Sequence, residues 1–195
     1  MELALDAAKR YSYADYLTWF DEKRRELYNG FIKLMSPAPV LSHATVVGNI
    51  YADMRQYIRL NKGKCKLFVA PFDVRLPVNG ETDDDKIYTV VQPDVCLVCD
   101  LSKLDERGCL GAPDLVVEVL SPSTRKNDLN DKYLLYEKAG VKEYWVIAPS
   151  KDKDVTVFLL QDDGKYAPGQ FYDEHSLIPV KSLPGLEIRA EELFN

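Results

Sequence analysis

The chain has 195 residues, 46% of them hydrophobic and 29% charged, and a formal charge of −6. That length and balance fit one domain, residues 1–195, with a full core, and exclude wholesale disorder. No run reaches the ~20 apolar residues that cross a bilayer, and Met1 to Arg10 lack the apolar core and small-residue cleavage site of a secretory signal, so a cytoplasmic location without membrane contact is expected.

Ser12 is placed to cap a helix over Tyr13 to Phe20, with Asp15 completing a capping box. Glu26 to Met35 predicts a hairpin turning at Asn29-Gly30, a dipeptide suited to a type I′ turn. Ser36-Pro37-Ala38-Pro39 then breaks the pattern. Ser42 to Asn61 predicts a long helix with one apolar stripe of Val46, Val47, Ile50, Tyr51, Met54, Tyr57 and Ile58. Its other face carries Arg55 and Arg59, followed by Lys62, a solvated helix face or a phosphate-contacting stripe.

Strands are expected at Leu67 to Leu76, Ile87 to Val91, Val95 to Val98 and Asp114 to Leu120. A helix follows from Asn127 to Ala139, stopped by Gly140, and then strands at Glu143 to Ile147 and Val155 to Leu160. From Tyr166 onward the pattern is short strands and turns, with a last helical turn at Ala190 to Phe194. This order implies a mixed α/β (α+β) architecture, a mixed sheet flanked by helices.

Cys96 and Cys99 form a C-x-x-C, but they sit on or beside an apolar strand, where residues three apart face opposite ways and do not share a metal. The expectation is that this pair are buried reduced thiols. The acidic net charge gives no long-range help in approaching a polyanion, although clustered carboxylates are what a magnesium site uses.

The densest polar placement inside apolar sequence is Gln92-Pro93-Asp94-Val95 and Pro113-Asp114-Leu115-Val116-Val117-Glu118-Val119-Leu120. A carboxylate such as Glu118 amid valines is costly unless paired or bound to a cation. Alternation puts Asp114, Val116, Glu118 and Leu120 on one strand face. If the strands of Asp94 and Glu118 pair, the two acids can converge on one Mg²⁺ or Mn²⁺. The competing reading of Glu118 is a buried salt bridge. That of Asp94 is a turn residue after Pro93, and that of Asp114 is a cap at strand entry.

Asp128, Lys132 and Tyr136 recur at four-residue spacing on one helix face. The tight Ser121 to Arg125 connection would bring that helix back over the strand end and let Lys132 reach the acids. Glu26 is a further candidate ligand, His43 a candidate base or ligand, and Arg125 joins Arg55, Arg59 and Lys62 as candidate nucleic-acid contacts. Phosphate-binding, dinucleotide and nucleophile-elbow motifs are absent. Trp145 and the tyrosines read as core rather than as a dimer interface.

The run Gly111 to Thr124, then Asp128-Leu129, Lys132, Tyr136 and Gly140 to Trp145, closely resembles the Uma family of restriction-endonuclease-like proteins. Gln92-Pro93-Asp94-Val95 and Leu183-Pro184-Gly185-Leu186 share the resemblance. It implies the PD-(D/E)XK nuclease core, with Asp94 as first acid and Glu118 as second, both metal ligands. The usual motif lysine falls at Leu120, and the resemblance implies that Lys132 replaces it from the following helix. Glu26 and His43 match a hairpin glutamate and a helix-start histidine, while a second hairpin acid is Phe31 here. The implied activity is Mg²⁺-dependent endonucleolytic cleavage of DNA, with nucleic acid as partner; a homodimer is a further partner expectation that the residues do not derive. The alternative is a nuclease fold retained for nucleic-acid or protein binding without catalysis.

Overall fold

The computed structural model describes residues 5–21, 23–35, 40–78, 80–120, 128–149 and 153–195, the side chains of 128 and 129 excepted. The expected break at Ser36 to Pro39, the Ser121 to Arg125 connection and the candidate contact Arg125 lie outside them.

Helix α1 (Tyr13–Tyr16) begins with the expected capping box: Asp15 N–H donates to Ser12 Oγ at 3.3 Å, and Ser12 N–H to the Asp15 carboxylate at 2.8 Å. It is shorter than the predicted helix, because the Thr18 hydroxyl donates to the Asp15 carbonyl at 2.7 Å and competes with further helix bonding. Strands β1 (Arg25–Tyr28) and β2 (Phe31–Leu34) form the hairpin, with Asn29 at φ 51° and Gly30 at φ 90°. Both turn residues have the positive φ of a type I′ turn, so the register is fixed and Glu26 stands opposite Lys33. Helix α2 (Leu41–Leu60) buries Val46, Ile50, Met54 and Ile58, the predicted stripe.

The single strand predicted over Leu67 to Leu76 is instead two, β3 (Lys66–Val69) and β4 (Val74–Arg75), in different sheets. Pro71, with no N–H for a ladder, separates them. Between Ile87 and Val91 only β5 (Val90–Val91) is strand; β6 (Val95–Val98) follows as expected. Two short strands had no periodic signal, β7 (Leu104–Asp105) and β8 (Gly108–Leu110). Then come β9 (Leu115–Val119), α3 (Asp128–Ala139), β10 (Glu143–Ala148) and β11 (Asp154–Leu159), and the C-terminal part adds β12 (Gln170–Tyr172), β13 (Leu177–Pro179), β14 (Glu187–Arg189) and α4 (Ala190–Leu193).

The strands build a sheet in the order β2-β1-β5-β4-β8-β7 and a second in the order β12-β11-β10-β9-β6-β3, with β13-β14 as a separate pair. In the second sheet β9 and β10 are parallel and the other pairs antiparallel, so the sheet is mixed. Its two faces bury different partners. Val95, Leu97, Leu115, Val117, Trp145 and Ile147 pack against the α2 stripe and α4. Cys96, Val98, Val116, Tyr144 and Val146 pack against Tyr136 of α3 and against Tyr28, Val74, Val91 and Cys109 of the first sheet. Each fully buried aliphatic side chain here contributes about 1.5–3 kcal/mol. Trp145 is fully buried, a core residue rather than an interface one.

Cys96 is a buried thiol, as expected, and so is Cys109, but Cys65 and Cys99 form a disulfide, which corrects the reading of Cys99 as reduced. The antiparallel register of β3 on β6 pairs Lys66 with Val98, so the next residues out, Cys65 and Cys99, face each other with Cα atoms 4.0 Å apart. Among the described residues no helix is long and apolar enough to cross a membrane.

Candidate metal centre

Strand pairing brings the two acids together. β6 runs antiparallel to β9 with Val95 opposite Val117. Continuing the ladder by one residue sets Asp94 opposite Glu118, on the face that looks toward α3. Asp94 Oδ2 accepts from the Val119 N–H at 2.8 Å and from His43 Nε2 at 3.1 Å. Among the described residues nothing engages Asp94 Oδ1. Glu118 Oε1 accepts from Lys132 Nζ at 2.8 Å and from the Tyr136 hydroxyl at 2.6 Å, and no described residue engages its Oε2. Among the described residues each acid is thus held by one oxygen and has no partner on the other.

Lys132 arrives from the first half of α3, and Tyr136 lies one turn further on the same face, as the four-residue spacing requires. Lys132 Nζ also lies 3.5 Å from Glu26 Oε1. Both oxygens of Glu26 are engaged: its Oε1 takes the Gln92 N–H at 2.7 Å and its Oε2 the Tyr28 hydroxyl at 2.9 Å. Glu26, Glu118 and Lys132 are all buried. Two hydrogen-bonded hydroxyls, one backbone amide and one ammonium therefore compensate the carboxylates in an interior where an unpaired charge would be prohibitive.

The charge balance is still negative. Burial, and then the charges of Asp94 and Glu26, push the Glu118 carboxyl up to about 7, against the opposing pull of Lys132. Burial works against the Lys132 ammonium, but Glu118 and Glu26 outweigh it and hold the lysine charged. Burial also opposes a charged His43, but its hydrogen bond to Asp94 and the charges of Asp94 and Glu118 raise it. Its Nδ1 is buried and has no hydrogen-bond partner.

These donors fit a hard divalent cation. The available ligands are carboxylate oxygens, which suit Mg²⁺ or Mn²⁺, and the sulfur ligands of a zinc site are absent from the cluster. Among the described residues no three acidic, histidine or cysteine side chains stand close enough to form a ready cage. Magnesium needs less than that, since one or two carboxylates with waters and substrate phosphates complete its shell. Asp94 and Glu118 are the candidate pair.

The remaining sequence candidates are elsewhere. Asp114 lies at the opposite end of β9, about 13 Å from Glu118 by strand rise. Its Oδ1 meets Lys142 Nζ at 2.7 Å and its Oδ2 the Cys99 N–H at 2.8 Å. Burial opposes its charge, but Lys142 and that amide prevail and lower its pKa. Arg55 and Arg59 are exposed on the distal half of α2 and Lys62 lies just past its end. Arg55 is about 18 Å along the helix from His43. Phe31 is 42% exposed on the hairpin edge and supplies no acid. Tyr28 and Gln92 carried no catalytic signal by type. Their positions did: Tyr28 alternates with Glu26 on β1, and Gln92 adjoins Pro93-Asp94.

Residues 13–191 match the family model Uma2, described as "Putative restriction endonuclease". An uncharacterized Synechocystis protein, slr1290, is 26% identical over 154 residues, covering 78% of this chain and 75% of the relative. A crystal structure described as "a putative nuclease belonging to DUF820 from Anabaena variabilis" superposes with a TM-score of 0.74 at 21% identity, over 94% of this chain and 97% of that one. That likeness bears out the expected fold, and the match across nearly the whole chain bears out the resemblance read from residues 92–95 and 111–145. The chain belongs to the Uma2 family and has the fold of a restriction-endonuclease-like nuclease.

Proposed function

We propose that this protein is a divalent-cation-dependent endonuclease that hydrolyses phosphodiester bonds in DNA. The observation that carries the reading is the opposition of Asp94 and Glu118 on paired strands, each with one oxygen that no described residue engages, under a lysine delivered from α3. Asp94 and Glu118 would hold the cation. When bound, Mg²⁺ supplies neutralisation of charge at phosphorus and a more acidic attacking water. Lys132 has a third N–H beyond those facing Glu118 and Glu26, and it donates to the phosphoryl oxygen on which charge develops. Glu26, engaged by Gln92, Tyr28 and Lys132, positions the ammonium rather than binding the cation. His43 fixes Asp94 through Nε2.

Lys132 beside Glu118 also favours catalysis over a silent binding module. The motif position at Leu120 is apolar, but the ammonium is still present on the carboxylate. Arg55, Arg59 and Lys62 are assigned to more distant phosphates, outside the reacting centre.

Calorimetric titration with Mn²⁺ tests the centre. The Glu118 carboxyl is raised from 4.5 in an unfolded chain to about 7 in the fold. Without a cation, its contribution to stability is fully present below the lower value and is lost as pH rises through the upper one. A bound cation needs the carboxylate, so at about pH 6 it must displace a proton, and at about pH 8 it need not. The heat of binding is expected to vary with the buffer's ionisation enthalpy at the lower pH and not at the higher. Absence of binding at both would remove the metal centre and the proposal with it.

A further inference from the structure

Arg24 sits two residues before Glu26, and alternation along the hairpin strand puts both side chains on one face, about 7 Å apart. Arg24 is exposed while Glu26 is buried, so the guanidinium lies on the solvent side of the candidate centre. Its Nε and Nη2 both donate to Gln92 Oε1, at 3.2 and 2.8 Å. Among the described residues it meets no carboxylate within ion-pair distance.

That arrangement differs from a structural arginine. Arg25, its neighbour on the other strand face, is buried and clamped by the Asp21 carboxylate. The acceptor under Arg24 is a neutral amide, which orients the guanidinium without cancelling its charge. The amide is itself locked. Gln92 Nε2 donates to Asp73 Oδ1 at 2.8 Å and to the Tyr16 hydroxyl at 3.3 Å, so Oε1 can only face outward to Arg24. The Gln92 backbone N–H meanwhile holds Glu26 Oε1 at 2.7 Å, which ties the arginine's support to the centre. One edge of the guanidinium is spent on Oε1, and among the described residues the other three of its five N–H donors, two on Nη1 and one on Nη2, have no partner.

We propose that Arg24 is a phosphate fork, binding a non-bridging oxygen pair on a phosphodiester next to the one cleaved. Asp73, Tyr16 and Gln92 are positioning residues for it. The inference rests on the nuclease reading for its ligand, a polynucleotide backbone, and on Arg24's own contacts for its geometry.

The test is fluorescence anisotropy of a short mixed-sequence DNA duplex across a salt series, with Ca²⁺ in place of Mg²⁺. Wild type is compared with Arg24→Gln and Arg24→Lys. Arg24→Gln is expected to bind about tenfold more weakly, with the slope of log affinity against log salt smaller by about one. Arg24→Lys is expected to keep the wild-type slope and regain part of the affinity, because an ammonium restores the charge but not the fork. Unchanged melting temperature and Mn²⁺ affinity in both variants would show that fold and centre persist.

Wild-type affinity and slope in Arg24→Gln would overturn the proposal, as would equal losses in both variants at unchanged slope, the mark of a hairpin brace only. A wild type that binds no duplex at any salt would overturn it as well, while leaving Mn²⁺ binding to be judged separately. Duplex binding that depends on Arg24 in a protein that cleaves nothing would support the fork and sink the hydrolase reading instead.

Discussion

Lys132→Met is expected to cost the fold about 3–5 kcal/mol and to abolish cleavage. Methionine nearly matches the lysine stem in volume, so little of the loss is packing. The loss is electrostatic. Lys132 Nζ lies 2.8 Å from Glu118 and 3.5 Å from Glu26, all three side chains are buried, and Asp94 stands nearby. Removing the ammonium leaves several carboxylates facing one another without a cation, and burial already drives Glu118 toward its neutral form. Urea denaturation should therefore show a clearly lower midpoint without divalent cation, with part of the loss restored by Mn²⁺, which binds the folded state. An unchanged midpoint would mean that the lysine is not the counter-charge of the cluster. Lys132→Met that still nicks plasmid at the wild-type rate would remove it from the chemistry.

Asp94→Asn and Glu118→Gln are expected to lower cleavage by about 10³-fold or more while keeping the fold. Each amide retains an oxygen that can accept the bonds now seen, from the Val119 N–H and His43 at Asp94 and from Lys132 and Tyr136 at Glu118. What each change removes is the negative charge and the second oxygen, replaced by an NH2 group that cannot ligate a cation. Melting temperatures within a few degrees of wild type, with Mn²⁺ binding lost, would separate this effect from misfolding. A variant that binds Mn²⁺ as wild type does would take that residue out of the ligand set.

Much of this arrangement was legible in the residues. Glu118 stood out because an acid among Val116, Val117, Val119 and Leu120 has to be compensated, and Lys132 because the Asp128, Lys132, Tyr136 spacing faces one way. The hairpin and long α2 were legible because turn chemistry and a 3.6-residue stripe are local properties. The unreadable parts were non-local. Nothing in Leu67 to Leu76 tells which side of Pro71 belongs to which sheet, and that choice sets both the Cys65–Cys99 pair and the partner of β6. Two- and three-residue strands such as β7 and β8 have no periodicity to detect. Asp114 looked equivalent to Glu118 by alternation, but strand length puts it at the opposite end, where Lys142 answers it. Glu26 was legible as an acid, but its engagement by Gln92 and Tyr28 depends on β1 meeting β5, a contact between segments far apart in sequence.

The central claim, that the Asp94–Glu118 cluster is a cation-dependent hydrolytic centre, is tested most directly by incubating the wild-type protein with supercoiled plasmid and Mn²⁺, with and without excess chelator. The account predicts conversion to nicked and linear forms that stops when the cation is removed. Conversion undiminished by chelator, or an intact plasmid in the presence of protein shown to bind Mn²⁺, would contradict it.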